Sequence, residues 1–362
     1  MHQGDTLAEP TVSRRLFDLA GALTTPLLPD DYLTAINPLW ALRELRGRIE
    51  AVIARPGDAA TIVIRPGRRW APHRAGQHLA LGVDVDGVRH WRSYSLTSDP
   101  GRPDGCLSIT VRAVEGGVVS SHLVRRARPG DIVRLGPPEG DFTLPSDAAQ
   151  RKLLFITAGS GITPVMSMLR ALEAGEGLRD VVHLHSERTP ESVIFGAELR
   201  GLAERNSGVV LRERHTATDA RLVAAELDAL CPDWRDRQAF VCGPLGLIDG
   251  VEEHYATAGA LDRLMLERFQ IALIGPDPGD GGTATLDGVS FDAPAGTPLL
   301  VAGEAAGLAL QSGCRMGICH RCVCTLRDGQ ARDLRTGVLI SEPGSDVQLC
   351  VSAAAGDLRL EA

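Results

Sequence analysis

Three cysteines stand close together in the run SGCRMGICHRC, Cys314, Cys319 and Cys322 at C-x4-C-x2-C spacing, and Cys350 in DVQLC adds a fourth thiol. Four thiolates are what two iron ions bridged by sulfide require, and this three-plus-one spacing is one that holds a [2Fe–2S] cluster. The short loop brings three ligands into one turn of backbone, so the fourth must come from elsewhere in the fold. Gly313 and Gly317 sit where the chain has to curl around a cluster without a Cβ, leaving their N–H groups to point at the sulfurs. Zinc is the alternative, since four thiolates also hold it tetrahedrally, although structural zinc sites commonly use two C-x2–4-C pairs. Cys324 follows Cys322 by two positions, has no place in a four-ligand set, and reads as a small packed thiol.

Two further runs carry chemistry. Ala158-Gly159-Ser160-Gly161-Ile162-Thr163-Pro164 follows an apolar strand and opens a helix. There backbone N–H groups can approach a pyrophosphate and the helix dipole favours its charge. Many strand-to-helix turns use glycine, and the third glycine of the dinucleotide fingerprint is missing, so the run does not decide by itself. Arg92-Ser93-Tyr94-Ser95-Leu96-Thr97-Ser98 ends a strand whose alternation sends Arg92, Tyr94 and Leu96 to one face and Ser93, Ser95 and Thr97 to the other. Beside a flavin, an Arg pairs with pyrophosphate, a Tyr stacks on the ring, and a Ser hydroxyl reaches a ring nitrogen. Gly117-Val118-Val119-Ser120-Ser121-His122-Leu123 offers a second helix start with small donors, suited to the same phosphates.

The elements that must position these residues fall into segments. From Arg46 to about Leu144 short alternating strands (RIEAVIA, ATIVIRP, QHLALGV, RHWRSYSL, CLSITVRAV, DIVRLG) are split by ARPGD, RPG and DVDG, the pattern of a small antiparallel β-barrel. From Lys152 the order becomes strand, glycine turn, helix. Strands KLLFITA, VVHLHS, GVVLRER and QAFVC alternate with helices near VMSMLRALEAGEG, ESVIFGAELRGLAER, ARLVAAELDAL and LGLIDGVEEHYATAG, which predicts an α/β doubly wound parallel sheet. IGPDPGDGG, too rich in Gly, Pro and Asp for an element interior, reads as a linker, and the remainder as a small α+β unit around the cysteine loop. The expected boundaries are 1–45 for an N-terminal extension, 46–147 for the barrel, 148–268 for the doubly wound domain, 269–282 for the linker and 283–362 for the last domain.

With 362 residues the chain has room for two or three domains with real cores. A net charge of −8 gives no basic footprint, so nucleic acid is not an expected partner. Eight cysteines, half of them in the cluster-like set, do not form a disulfide framework, and a reducing cytoplasm is expected. The run Ser13-Arg14-Arg15-Leu16-Phe17 has a faint look of a twin-arginine signal, but Asp18, Pro26 and Pro29 break up the apolar stretch such a signal needs, and no A-x-A site is present. Leu16, Leu19, Ala20 and Leu23 instead predict a short amphipathic helix over 12–23. Membrane contact is therefore expected to be at most peripheral, at the inner face.

Taken in order, RSYSLTS, GVVSSHL, GSGITP, Val241-Cys242-Gly243-Pro244 and the cysteine loop resemble the ferredoxin–NADP reductase superfamily with a fused plant-type ferredoxin domain, over about residues 46–362. The resemblance implies a β-grasp fold for the last domain. It also implies that Arg92, Tyr94, Ser95 and Thr97, with Gly117, Ser120 and Ser121, hold a flavin, Ser95 lying near its reactive nitrogen. Gly159, Gly161, Thr163, Gly243 and Pro244 would face the nicotinamide dinucleotide. Cys242 would lie beside the nicotinamide; on its own residue type it reads equally as a buried packed thiol. FAD is expected, with FMN as the alternative. Asp30-Asp31-Tyr32-Leu33 and Asn37-Pro38-Leu39-Trp40 resemble the N-terminal extension of actinobacterial reductases that serve acyl-CoA desaturases, or else merely cover the barrel.

The implied activity is an NAD(P)H:acceptor oxidoreductase. A nicotinamide gives two electrons as hydride, a [2Fe–2S] cluster takes one, and a flavin between them is needed to split the pair. Plant-type clusters sit at roughly −400 mV, low enough to drive an oxygenase or desaturase. The expected acceptor is a membrane di-iron fatty acyl desaturase, and the alternative is a soluble ring-hydroxylating or similar oxygenase. NADPH is expected over NADH if Ser186 and Arg188 in HSERTPE, with Arg214 and Arg221, hold a 2′-phosphate; Glu187 would repel it if it faced inwards.

Overall fold

A computed structural model describes residues 29–269 and 281–362, apart from 176, 309, 314–316, 318 and 319. The helix expected over 12–23, most of the linker, Cys314 and Cys319 therefore lie outside the described residues.

The alternating runs form six antiparallel strands, β1 (Arg46–Arg55), β2 (Ala59–Pro66), β3 (His78–Val85), β4 (Val88–Ser95), β5 (Leu107–Arg112) and β6 (Ile132–Glu139). Their order is β4-β3-β6-β1-β2-β5. Leu96, just beyond β4, bridges to Ile109 in β5, so the first and last strands meet and the sheet closes into a barrel. Asp86 and Gly87, both at positive φ, make the tight turn between β3 and β4. The interior is filled by Ile62, Ile64, Leu79, Leu81, Leu96 and Ile109, all fully buried or nearly so. Before the barrel, α1 (Pro29–Ile36) packs on a 3₁₀ turn (Pro38–Trp40) that itself lies against β1. The buried Asp30 carboxylate accepts a hydrogen bond from the Leu42 N–H at 2.5 Å, and the Arg68 guanidinium stands over the Trp40 ring. Between β5 and β6, α2 (Val118–Arg125) buries Val119 and Leu123 in the barrel core.

The middle segment alternates β7 (Leu153–Ala158), α3 (Ile162–Ala174), β8 (Val181–Glu187), α4 (Gly196–Arg205), β9 (Val209–His215), α5 (Leu227–Leu230), β10 (Gln238–Cys242), α6 (Leu245–Thr257) and β11 (Leu264–Glu267). The five strands are parallel in the order β11-β10-β7-β8-β9, with separate apolar clusters on the two faces. Three expectations change here. The run ARLVAAELDAL, expected to be one helix, forms only a 3₁₀ turn over Ala224–Glu226 and the four-residue α5. LMLE is a fifth strand that the sequence pattern did not reveal. The run ESVIFG is not helical throughout: only Pro190–Ser192 forms a 3₁₀ turn, and α4 starts at Gly196 because Val193, Ile194 and Phe195 turn inwards and are buried.

Phe142 and Ala75 of the barrel join the apolar cluster around α3, so barrel and nucleotide sheet share one core. Burying one such ring is worth roughly 1.5–3 kcal/mol. Gly76, at φ +98°, permits the approach, since a Cβ there would lie 2.1 Å from the Phe142 carbonyl oxygen and 2.4 Å from the Met168 Cε.

The last segment comprises β12 (Gly282–Leu286), β13 (Val289–Ala293), α7 (Leu299–Ala305), β14 (Val323–Asp333), β15 (Leu339–Ile340), β16 (Asp346–Gln348) and β17 (Ser352–Glu361). The mixed sheet runs β13-β12-β17-β14-β15, β12 and β17 being parallel, and α7 packs on it through Leu299 and Leu300. The barrel, doubly wound and β-grasp architectures expected from the sequence are all present. Among the described residues no helix is long and apolar enough to cross a membrane.

Candidate active site

The end of β4, the start of α2, the glycine turn before α3 and the residues after β11 converge on one cavity of about 690 Å³ between the barrel and the parallel sheet. Arg92, Tyr94, Ser95, Gly117, Ser120 and Thr163 line it, as do Ser160, His78, Arg112, Phe142, Glu267 and Phe269. Strict alternation would have put Tyr94 and Ser95 on opposite faces. Both reach the cavity because β4 ends there, at the barrel rim. Tyr94 packs against the barrel core, and burial raises the pKa of its hydroxyl.

Ser95 is 6% exposed, and its Oγ has no hydrogen-bond partner among the described residues. A buried unsatisfied hydroxyl costs about 1–3 kcal/mol, so a hydroxyl left this way at a cavity wall marks where a ligand atom belongs. The aromatic walls Tyr94 and Phe269, the Arg92 guanidinium and the helix start at Gly117 fit a flavin: a flat ring system with one face to stack on, a polar edge, and phosphate at the far end.

Gly159 has φ +55°. A Cβ on Gly161 would lie 2.1 Å from the Cys242 carbonyl oxygen, so the glycine turn and the Cys242-Gly243-Pro244 run touch through backbone. Cys242 is fully buried behind the cavity, at the end of β10, in register with Glu267 of β11. Burial pushes the Cys242 thiol well up, and the neighbouring Glu267 adds to this. Burial alone pushes the Glu267 carboxyl up to about 8, and its Oε2 has no partner among the described residues. Its Oε1 lies 3.8 Å from Nδ1 of His78, whose pKa burial lowers. At neutral pH the contact therefore joins a mostly protonated acid to a neutral imidazole, with a neutral thiol alongside, and it is polar rather than ionic. Sequence reasoning missed Glu267, His78 and Phe269. The one available signal was a lone charge closing the apolar run LML directly before Arg268-Phe269.

Other expected residues lie elsewhere. Thr97 is buried with its hydroxyl 2.9 Å from that of Ser108, and does not line the cavity. Ser121, Gly159, Gly161, Ser186, Arg188, Gly243 and Pro244 are also outside its lining. Ser186 is buried at the end of β8, Arg188 and Arg221 are exposed, and Arg214 is paired with Glu226 at 2.9 Å. Glu187 does face inwards, 7% exposed at its side chain, but Arg112 of β5 holds it at 2.6 Å and neutralises it. The same guanidinium donates to the Ser192 carbonyl at 3.1 Å, tying the barrel to the nucleotide sheet.

In the last segment Cys322 and Cys350 are both buried. The Leu349 N–H donates to the Cys322 carbonyl at 3.0 Å, which sets the Cys350 segment beside the third cysteine of the loop. Gly317, between Cys314 and Cys319, has φ +71°, and its carbonyl accepts from Gln348 Nε2 at 2.9 Å and Arg335 Nη1 at 3.2 Å. A Cβ there would lie 2.6 Å from Arg335 and 3.0 Å from Val351. The loop is thus drawn towards the turn between β16 and β17 that carries Cys350, which fits a four-thiolate set closing round a small inorganic centre. Cys324 is buried in the sheet core, its thiol pushed up to about 11 by burial.

Family models match in three blocks: an oxidoreductase FAD-binding domain over 72–144, an oxidoreductase NAD-binding domain over 155–253, and a 2Fe-2S iron-sulfur cluster binding domain over 284–354. An NADPH oxidoreductase of Mycobacterium tuberculosis is 49% identical over 348 residues, covering 95% of this chain and 91% of its own. The chain belongs to the ferredoxin–NADP reductase superfamily, with a C-terminal [2Fe–2S] ferredoxin domain. The reductase is also 32% identical, over 82% of its length and 89% of the relative's, to the ferredoxin reductase component of a 3-ketosteroid-9-alpha-monooxygenase of M. tuberculosis. Among solved structures it matches phthalate dioxygenase reductase with a TM-score of 0.62 and 27% identity, over 88% of this chain and 98% of that one. The reductase is an NAD(P)H oxidoreductase whose cofactors are FAD and a [2Fe–2S] cluster.

Proposed function

We propose that the reductase takes hydride from NADPH and passes single electrons, through FAD and the [2Fe–2S] cluster, to a separate oxygen-activating iron enzyme. The observation that carries this reading is the cavity between barrel and parallel sheet, in which the orphaned Ser95 hydroxyl and the buried Glu267 face one space. FAD supplies the conversion between two-electron and one-electron chemistry. The chain's own residues orient and exclude water. Tyr94 and Phe269 flank the ring, Ser95 donates to its polar edge, and Arg92 with Gly117, Ser120 and Ser121 takes the phosphates. Gly159, Gly161, Thr163, Gly243 and Pro244 shape the dinucleotide's path, with Cys242 behind the nicotinamide. Thr97 supports this set by fixing the strand end through Ser108. Cys314, Cys319, Cys322 and Cys350 are the cluster ligands in this reading. The working units are an extension at 1–45, the flavin domain at 46–147, the nucleotide domain at 148–268, a linker at 269–282 and the iron–sulfur domain at 283–362.

NADPH preference is supported by the exposed Arg188 beyond β8, by Ser186, and by the neutralising of Glu187 through Arg112, which removes the charge that would oppose a 2′-phosphate. The name of the 49% identical relative points the same way. For the acceptor, the resemblance of DDYL and NPLW supports a membrane fatty acyl desaturase, and the amphipathic sequence pattern of 12–23, with Arg14 and Arg15, supports peripheral contact at the cytoplasmic face. The name of the 3-ketosteroid monooxygenase component supports an oxygenase acceptor instead. The deciding experiment supplies NADPH and the purified reductase to a desaturase in membranes and, separately, to a soluble hydroxylase. Desaturation without hydroxylation supports the first acceptor, and the reverse supports the second. Failure with both, while artificial one-electron acceptors are reduced, removes the proposed acceptor class.

A further inference from the structure

The iron–sulfur domain meets the flavin barrel at a second cleft of about 730 Å³, walled on one side by residues 88–92 and 116–118 and on the other by Glu304, Leu308, Gln311 and Arg321. At this boundary the Arg321 guanidinium lies over the Trp91 ring, 4.0 Å from its centroid. The indole has a prepared seat. Trp91 is in register with Gly82 across the β3–β4 pair, and a Cβ at Gly82 would stand 3.0 Å from Trp91 Cε2 and Cζ2. The bare backbone lets the ring lie flat and offer its other face outwards.

The sequence neighbours give the contact its meaning. Trp91 immediately precedes Arg92, which lines the flavin cavity, and Arg321 immediately precedes Cys322. One non-covalent contact therefore joins the residue beside one redox site to the residue beside the other. The barrel and nucleotide sheet are fused by a shared apolar core and the Arg112–Glu187 pair, whereas the barrel and iron–sulfur domain face each other across this cleft.

We propose that the Trp91–Arg321 stack is the docking contact that seats the iron–sulfur domain on the flavin barrel in its electron-transferring arrangement. This rests on the cofactor order given under Proposed function. Each passage moves one electron from flavin to cluster, so the two electrons of one hydride take two passages. Electron transfer slows steeply with separation, and a cation–π contact is strong enough to set a position while remaining reversible. Both residues are positioning residues, since neither touches a cofactor in this reading.

The test uses the holoprotein, with iron and flavin content measured for every variant. After anaerobic mixing with NADPH, flavin reduction and cluster bleaching are followed separately in wild type, Arg321→Ala, Trp91→Ala and the conservative Trp91→Phe, and the radius of gyration is measured by small-angle scattering. The expected result is flavin reduction within about twofold of wild type, cluster bleaching slowed about tenfold or more in both Ala variants, an increased radius of gyration, and recovery in Trp91→Phe. Should Trp91→Ala lose flavin, Arg321→Ala decides alone, since it leaves the barrel untouched. Cluster bleaching within about twofold of wild type in Arg321→Ala overturns the proposal, and so does slowed bleaching at an unchanged radius of gyration. A wild-type protein whose cluster stays oxidised after its flavin is reduced overturns the cofactor order instead, and is told apart because no variant is involved.

Discussion

Glu267 sits in the wall of the cavity between barrel and parallel sheet with its side chain 12% exposed and one carboxylate oxygen unpartnered among the described residues, and burial pushes its pKa from 4.5 to about 8. Folded, the carboxyl keeps its proton to about pH 8; unfolded, it loses it near 4.5. In that window the folded chain binds the extra proton, so the contribution to stability is full below the unfolded pKa and is lost as pH rises through the folded one. At about 1.4 kcal/mol per pH unit, the loss between about pH 5 and 8.5 amounts to roughly 4 kcal/mol. For a unit of 150–250 residues each kcal/mol moves the melting temperature by about 2–4 °C, so a fall of roughly 10 °C is expected from this one group. Glu267→Gln keeps the shape and a hydrogen-bond donor but cannot ionise, and its profile lacks this fall. The assay is thermal release of flavin fluorescence from both holoproteins across the pH range. Parallel profiles for wild type and Glu267→Gln would show that the carboxylate is not held neutral, and would rule out the uncharged Glu267–His78–Cys242 site.

Three other outcomes are expected. Gly161→Ala drives a Cβ into the Cys242 carbonyl and should cut flavin reduction by NADPH far more than flavin binding, as read by the rate of flavin bleaching against flavin content; normal bleaching would contradict the close approach. Replacing Cys322 or Cys350 by Ser should abolish the visible iron–sulfur absorbance while Cys324→Ser keeps it with a small loss of stability, and the reverse pattern in measured iron would refute the ligand set. Arg188→Ala should lower kcat/KM for NADPH about tenfold and leave NADH nearly unchanged, because a charged contact to phosphate is the interaction lost; an equal effect on both nucleotides would contradict it.

Much of the fold was legible because its elements are punctuated. ARPGD and DVDG force turns, and the strands between them alternate strongly enough to predict all six strands of the barrel. The strand β11 was not legible: LMLE is four residues long, follows a 3₁₀ turn without a strong breaker, and takes its strand conformation only by pairing with β10. With it went Glu267, whose significance depends on standing in register with Cys242. Thr97 shows a different limit. Its place in the run RSYSLTS suggested a ligand contact, yet its hydroxyl is engaged by Ser108 and Thr110, a partnership across strands that local sequence does not reveal. The pairing of Glu187 with Arg112 likewise joins residues 75 apart in sequence.

The depth of Cys242 has a chemical consequence for the working life of the protein. Reduced flavins generate peroxide when they meet oxygen, and peroxide attacks thiolates, climbing from sulfenic to irreversible sulfinic and sulfonic acids. Cys242 lies behind the cavity that fits the flavin, yet it is fully buried and its pKa is raised well above the ordinary value. Almost none of it is thiolate at neutral pH, and reactivity follows the thiolate. The same burial that keeps the site uncharged makes this thiol resistant to self-inflicted oxidation over many turnovers.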